Sequence, residues 1–421
     1  MGAALLKALY FASLFALFAL MQWYVSYAYK RWVRRSCKEE FKERWHLGGV
    51  IFLWVGNVTF ALRFLITELG VYENWVSQYL IIYPGAMFFA AISLTTAVLI
   101  LYDIPRQSAK LVSAYISWRK EKKNNEEAII PVKNEQVFNP SRRRFLKYAG
   151  AAVATVPFVI SIRSTRSTAR DYQIVNKELF FEDLPEGLDG LRLVQLSDIH
   201  SGMFMTQRQI AEIFDITNSL KPDIVAITGD FVDSSPSEIP AVRNEINRLQ
   251  TNYGVFGCLG NHDHYASATS VTSALRSQGL MMLNNEAQVL DIHGTRLNML
   301  GIDDAGRPPR DYARLDWALQ QADSSAFNIL LSHRPEQFIN ASKSGVQLTL
   351  SGHTHGGQIG GDVFGLRLYP IEMVHPYSQG LYHRGDHKMY VNVGVGMVGV
   401  PIRLVRPEIT ELTLRKKSLL S

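Results

Sequence analysis

Gly254-Val255-Phe256-Gly257-Cys258-Leu259-Gly260-Asn261-His262-Asp263 is an apolar run that ends with an amide, an imidazole and a carboxylate side by side. The run is short and bounded by glycine, so it reads as a buried strand followed by a loop. The three polar groups can together bind a hard cation, move a proton and orient the group that moves it. A four-residue string such as Gly260 to Asp263 recurs by chance, so its weight depends on what other strands bring to the same place.

The same arrangement returns along the chain. Leu191 to Ser197 is followed by Asp198-Ile199-His200, and Ile224 to Gly229 by Asp230. Phe327 to Ser332 is followed by His333, and Val346 to Gly352 by His353-Thr354-His355. From Tyr172 onward these apolar runs alternate with amphipathic segments, which predicts an α/β layered fold. In open α/β sheets ligands bind at the C-terminal ends of the strands, where all of these side chains fall. A lone Asp or His after a strand is more often a turn residue or a helix cap. Independent turn chemistry would not choose Asp and His at one strand end after another.

The donor set is also coherent. Asp198, Asp230 and Asn261 supply oxygens; His200, His333, His353 and His355 supply imidazoles. Without a thiolate this mixed set suits Mn, Fe, Zn or Co better than Ca or Mg. It is larger than one four-coordinate zinc would use. Two ions sharing a carboxylate are therefore expected, the arrangement that clamps attacking and leaving oxygens in phosphoryl displacement. Other polar residues read as structural. Asp233 is expected to cap a helix near Pro236, His264 to lie in a loop, and Asp303-Asp304 to form a turn. Arg403 and Arg406 match phosphate oxygens in chemistry, but surface pairing is the expectation.

The motifs D-x-H (Asp198, His200), G-D-x-x-D (Gly229, Asp230, Asp233), G-N-H-D (Gly260 to Asp263), the isolated His333 and G-H-x-H (Gly352 to His355) resemble, in order, those of the calcineurin-like metallophosphoesterase family. The resemblance covers about residues 172 to 416. Its tail, Gly394-Val395-Gly396 through Pro401-Ile402-Arg403 to Arg406-Pro407-Glu408, is similar to that of small bacterial, membrane-exported members. The resemblance implies a four-layer α/β/β/α sandwich and two divalent ions, Mn, Zn or Fe. It implies that Asp198, His200 and His355 bind one ion, that Asn261, His333 and His353 bind the other, and that Asp230 bridges. A hydroxide held between the ions would attack phosphorus. His262 would then assist the transition state or the leaving oxygen, with Asp263 fixing its ring.

The first part of the 421-residue chain is of another kind. Tyr10 to Tyr27, Gly49 to Ile66 and Tyr79 to Leu101 are each apolar and about long enough to cross a bilayer. Lys30 to Arg44 and Asp103 to Lys147 are strongly basic, whereas Thr67 to Gln78 has no Lys or Arg. The positive-inside rule places the two basic segments in the cytoplasm and the third outside. Arg63, late in the second span, is expected to snorkel to the surface. Arg106 to Pro140 reads as a helical extension and linker. Ser141-Arg142-Arg143-Arg144-Phe145-Leu146-Lys147 then resembles a twin-arginine export signal ahead of a moderately apolar stretch to Ile162. The basic residues flank the apolar stretches, so the net charge of +6 speaks of membrane orientation rather than nucleic acid. The two cysteines, Cys37 and Cys258, lie in different regions and offer neither a disulfide framework nor a thiolate metal site.

The expected organisation is three spans in 1–104, a basic cytoplasmic linker in 105–147, a fourth membrane segment or signal anchor in 148–170, and a catalytic region in 171–421. The expected function is a phosphoesterase anchored in a bacterial cytoplasmic membrane, with its catalytic region outside. It would act on a phosphorylated small molecule or lipid after export by the twin-arginine machinery. Two alternatives stay open. One is a pyrophosphatase of lipid-linked or nucleotide-sugar intermediates, similar to UDP-diacylglucosamine pyrophosphohydrolase. The other is a signalling effector coupled to a membrane sensor bundle.

Overall fold

A computed structural model describes residues 2–69, 71–123, 159, 170–306, 311–363, 366–399 and 403–417. The twin-arginine-like motif, nearly all of the expected fourth membrane segment, and Pro401-Ile402 lie outside the described residues.

The N-terminal region is helical, over Gly2–Ser36, Glu39–Glu68 and Tyr83–Lys123. The first expected span falls within the first of these helices. Among the described residues two helices, Glu39–Arg63 and Ser77–Arg119, are long and apolar enough to cross a membrane. The last helix runs through Pro105 to Lys123, which agrees with a helical extension of the third apolar stretch. The chain groups into two compact units. Residues 1–61 and 84–162 form one, and residues 62–83 and 163–421 form the other. The segment between the second and third apolar stretches thus groups with the catalytic region.

The catalytic unit contains β1 (Gln173–Phe181), β2 (Arg192–Leu196), β3 (Ile224–Thr228), β4 (Gly254–Cys258), β5 (Met281–Met282), β6 (Glu286–Ile292) and β7 (Thr295–Gly301). It continues with β8 (Phe327–Leu331), β9 (Leu348–Ser351), β10 (Gly361–Val363), β11 (Leu366–Leu368), β12 (Gly380–Arg384), β13 (His387–Val391) and β14 (Glu408–Lys416). One six-stranded sheet has the order β1-β14-β2-β3-β4-β5, and a second has the order β12-β13-β9-β8-β7-β6. β2, β3 and β4 are parallel neighbours in the first sheet, and β8 and β9 are parallel neighbours in the second. Their C-terminal ends therefore lie along one edge of each sheet.

The layers follow from side-chain alternation. In β3, Ile224 and Ala226 face a core shared with Ile329, Leu331, Leu348 and Leu350 of the other sheet. Val225 and Ile227 face the other way, onto Ile210, Ile213 and Phe214 of the helix Gln207–Ser219 and Val271 and Leu275 of the helix Ala268–Arg276. Leu330 of β8 packs outward against Leu315, Ala318 and Ala341 of the helices Leu315–Gln320 and Phe338–Lys343. The result is the expected α/β/β/α sandwich. Strands buried on both faces read as apolar runs rather than alternating ones, the pattern of β3 and β4; β2, β8 and β9 carry Gln195, Asn328 and Thr349 within the run.

Candidate metal centre

The ends of β2, β3 and β9 deliver their side chains through constrained turns. Asp198, His200, Asp230, His353 and His355 have φ of 52°, 47°, 55°, 72° and 51°. Non-glycine residues in this region are uncommon and cost of order 1–3 kcal/mol each where they persist, typically at functional sites. Close approach accounts for two of the motif glycines. A Cβ on Gly352 would collide with Ser197 Oγ and Asp198 Oδ2, and one on Gly260 with Asp230 Oδ1.

Three groups of ligand-type side chains come together: Asp198, His200 and His355; Asp230, His333 and His353; and His200 again with Asp233 and His262. Within the first, His355 Nε2 lies 3.2 Å from Asp198 Oδ1 and 3.1 Å from His200 Nε2. Within the second, His333 Nε2 is 3.2 Å from Asp230 Oδ2 and 3.2 Å from His353 Nδ1. Asp230 Oδ2 is also 3.6 Å from His200 Nε2, so Asp230 stands between the groups. Asn261 is the first residue of the helix Asn261–Ala266, directly after the β4 loop.

This donor set fits divalent cations on independent grounds. Asp198 Oδ1 and Asn261 Oδ1 are buried with no hydrogen-bond partner, a costly condition for a protein oxygen unless a cation satisfies it. Each close pair of ring nitrogens has at most one proton to share, and a cation between them turns the contact into ligation. The atoms turned away from the ligand side are held in place. Asp198 Oδ2 accepts from Ser197 Oγ (2.6 Å) and His353 N (3.0 Å), Asp230 Oδ1 accepts from His262 N (2.8 Å), and His333 Nδ1 donates to the Thr228 carbonyl at 2.8 Å. Outer partners of this kind fix ring orientation and tautomer at metal sites.

The electrostatics match. Burial opposes protonation of His200, but Asp198 and Asp233 outweigh it and push the imidazole up to about 10. Burial likewise works against His333, which Asp230 raises to about 9. Burial, then His333 and Arg334, hold His353 down to about 3. Burial alone would raise Asp198 and Asp230; the surrounding imidazoles hold both below the usual carboxylate range. Carboxylates and imidazoles compete here for the same few protons, which a metal ion would displace.

The pair expected to handle protons is arranged differently from expectation. The His262 ring stands edge-on to His200, with centroids 4.6 Å apart. Its Nδ1 donates to the backbone carbonyl of Asp233. Asp263 is turned inward: its oxygens accept from the amides of Asp230 (3.0 Å), Phe231 (2.8 Å), Val232 (3.2 Å) and Gly260 (2.9 Å). Its carboxylate is spent on shaping the loop that carries Asp230, so it does not fix the His262 ring. Burial and then the charge of Asp230 push its pKa up to about 7, against the pull of the amides.

Three residues read as structural stand at the site. Asp233 is not the cap near Pro236; Ser235 caps that turn, and Glu238 accepts the amides of Ser234 and Ser235. Asp233 Oδ1 instead lies 3.5 Å from His200 Nδ1 and 3.9 Å from His262 Nδ1. Asp304 forms an ion pair with Arg334 at 2.6 Å, and Arg334 Nη1 is 2.9 Å from His353 Nε2. Arg403 is fully buried rather than surface-paired. It donates to the carbonyls of Val393 (2.8 Å), Gly394 (2.7 Å), Gly396 and Val405 (3.0 Å), and its Nη1 lies 3.3 Å from His355 Nδ1. Arg406 does pair at the surface, with Asp171 at 2.8 Å. The G-D-x-x-D spacing was the one sequence signal for Asp233; nothing local marks Arg334, Asp304 or Arg403.

Comparison with known proteins agrees with this geometry. Residues 191–357 match the family model described as calcineurin-like phosphoesterase. The chain is 33% identical over 237 residues to the uncharacterized metallophosphoesterase YkuE of Bacillus subtilis (strain 168), covering 55% of this chain and 82% of that protein. It is 33% identical over 270 residues to the transmembrane protein with metallophosphoesterase domain of Danio rerio, covering 61% of each. An uncharacterized metallophosphoesterase of Helicobacter pylori (strain J99 / ATCC 700824) is 34% identical over 233 residues, covering 54% of this chain and 60% of that one. The chain thus spans about three-fifths of the length of these last two relatives. With carboxylates and histidines from the strand ends of both sheets gathered together, this chain belongs to the calcineurin-like phosphoesterase family and is a metal-dependent phosphoric ester hydrolase.

Proposed function

We propose that the protein is a membrane-anchored phosphoesterase that uses two divalent ions and works outside the cytoplasm. The observation that carries the two-ion reading is the position of Asp230. Its Oδ2 is 3.2 Å from His333 and 3.6 Å from His200, one histidine from each group. Asp198, His200 and His355 would hold one ion, Asn261, His333 and His353 the other, with Asp230 shared. Such ions supply Lewis-acid activation of water and of phosphoryl oxygens. The remaining work falls to the chain. Asp230 Oδ1 fixes the His262 backbone amide, and the Asp233 carbonyl holds Nδ1 of the ring. Nε2 is left to deliver a proton to the departing oxygen. Asp233 backs His200, as an outer carboxylate orients a ligating histidine. Asp263 acts through the loop it shapes.

Membrane anchoring is supported by the two candidate spans and by the likeness to the transmembrane protein of Danio rerio. The catalytic side is supported by the charge pattern together with one contact. The Lys- and Arg-free loop Thr67 to Gln78, expected outside, belongs to the same compact unit as the metal centre. Export by the twin-arginine pathway rests on the Ser141 to Lys147 motif. The test is a screen of the purified full chain with Mn or Zn against a phosphomonoester, a phosphodiester and a lipid-linked pyrophosphate. Metal-dependent release from one class supports the reading; inertness toward all three with both metals bound would contradict it.

A further inference from the structure

The segment that joins the two candidate spans, together with the first residues of the second span up to Tyr83, is built into the catalytic unit. Gln78 is buried, and its Nε2 donates to the Tyr72 carbonyl (2.7 Å) and the Met203 carbonyl (3.0 Å). Met203 lies three residues past His200. Ile66, Tyr72 and Ile82 form a buried cluster against which Met203 and Phe204 pack. Glu73 accepts the amide of Gln207 at 3.1 Å, capping the first turn of the helix Gln207–Ser219 with a negative charge. The Tyr72 hydroxyl reaches the Ser237 carbonyl at 3.5 Å, on the segment that follows Asp233. Arg63 is buried rather than snorkelling, within electrostatic reach of Asp233.

The other side of this hairpin is apolar and exposed, with Leu69, Val71, Trp75, Val76, Tyr79 and Leu80. Tryptophan and tyrosine concentrate at the boundary between lipid and water. The hairpin leaves one candidate span and enters the next, so chain connectivity alone keeps it at a membrane face. The loop immediately after a metal-centre histidine therefore rests on an element that is continuous with two candidate spans and has an apolar, exposed outer side.

We propose that the metal centre takes its substrate from the bilayer: an amphiphilic phosphoester whose phosphoryl group reaches the His200 end of the site while its hydrocarbon part lies along the hairpin and Met203-Phe204. This inference rests on the hydrolase reading and adds the substrate class. Gln78 is a positioning residue in this scheme, acting through the Met203 loop.

The test uses the full chain reconstituted in phosphatidylethanolamine–phosphatidylglycerol vesicles with Mn. The substrates are alkyl phosphates and p-nitrophenyl alkyl phosphodiesters with methyl or dodecyl chains. The dodecyl esters are expected to show kcat/KM at least roughly 100-fold above the methyl esters, far less than full burial of the chain would give. Gln78→Ala, and separately Phe204→Ser, should cut that preference by about tenfold or more, mainly through KM. In both variants methyl-ester kcat/KM should fall far less than dodecyl-ester kcat/KM and metal content should match the parent chain; Gln78→Ala should also lower the thermal midpoint, because the Tyr72 and Met203 carbonyls lose their donor. Equal kcat/KM for methyl and dodecyl esters overturns the inference while leaving the hydrolase reading intact. An undiminished dodecyl preference in both variants also overturns it, because partition into the vesicle would then explain the whole effect. No turnover of any ester by the metal-loaded chain defeats the hydrolase reading and this inference with it.

Discussion

Replacing Asp263 by alanine separates a loop-forming carboxylate from a catalytic one. Its two oxygens accept four buried amides, those of Phe231 (2.8 Å), Gly260 (2.9 Å), Asp230 (3.0 Å) and Val232 (3.2 Å). A hydrogen bond to a charged partner contributes about 1.5–3 kcal/mol, and a buried donor left alone costs about 1–3 kcal/mol. These contributions are not additive within one network, and water entering the space vacated by the carboxylate recovers part of them. The expected loss is about 3–5 kcal/mol, at the large end for a single substitution. Asp263→Asn keeps one oxygen but turns an NH2 group toward one pair of amides, and should lose roughly half as much. Because the same loop carries Asp230, metal affinity should fall about 10–100-fold in Asp263→Ala, as when outer partners of metal ligands are removed. The assay is denaturant unfolding of the metal-free chain, followed by metal titration. An unchanged unfolding midpoint and unchanged metal affinity, with turnover lost as in a His262 variant, would refute the reasoning. Asp263 would then act through the ring after all.

Three further outcomes are expected. His262→Ala should retain its metals while turnover falls by about 10²–10⁴-fold; metal analysis beside kcat checks this, and dominant metal loss would make His262 a ligand. In the metal-free chain His200 and His333 titrate near 10 and 9, above the ordinary imidazole value of 6.5. A raised folded-state value adds stability that is complete below pH 6.5 and is lost as pH climbs through 9 to 10. Metal-free protein should therefore unfold more readily at pH 9.5 than at pH 6.5, while metal affinity rises over the same interval as the protons leave; unfolding and metal titrations that are flat with pH would contradict it. For topology, a reporter fused after Ser421 should register outside the cytoplasm, and Arg142→Lys with Arg143→Lys should reduce that signal; a cytoplasmic reporter would contradict the assigned side.

What was legible in the sequence was carried by local pattern. β3 is buried on both faces, so it wrote itself as an apolar run whose end is marked by Asp230, and β8, broken only by Asn328, ends at His333 in the same way. Parallel pairing of β2, β3 and β4 in one sheet, and of β8 and β9 in the other, sets the strand ends along one edge of each sheet. The features that were not legible depend on contacts between distant residues. Asp263 follows His262 in sequence, but a helix starting at Asn261 turns its carboxylate back onto the 230–232 amides. Asp233 has the composition of a cap, and only the fold sets it between His200 and His262. Arg403 lies in a mostly apolar, glycine-rich tail whose carbonyls enclose its guanidinium once the chain returns past His355. The hairpin of residues 62–83 reads as a short outer loop, because nothing in it announces that Gln78 will bond to Met203.

The central claim is a pair of ions that share Asp230, and metal content read together with turnover tests it most directly. The purified full chain should bind two divalent ions and hydrolyse a phosphoester only when both are present. Asp230→Asn should bind fewer than two and lose turnover, because a neutral amide is a poor bridge between cations. Two ions per chain with full activity in Asp230→Asn would contradict the account.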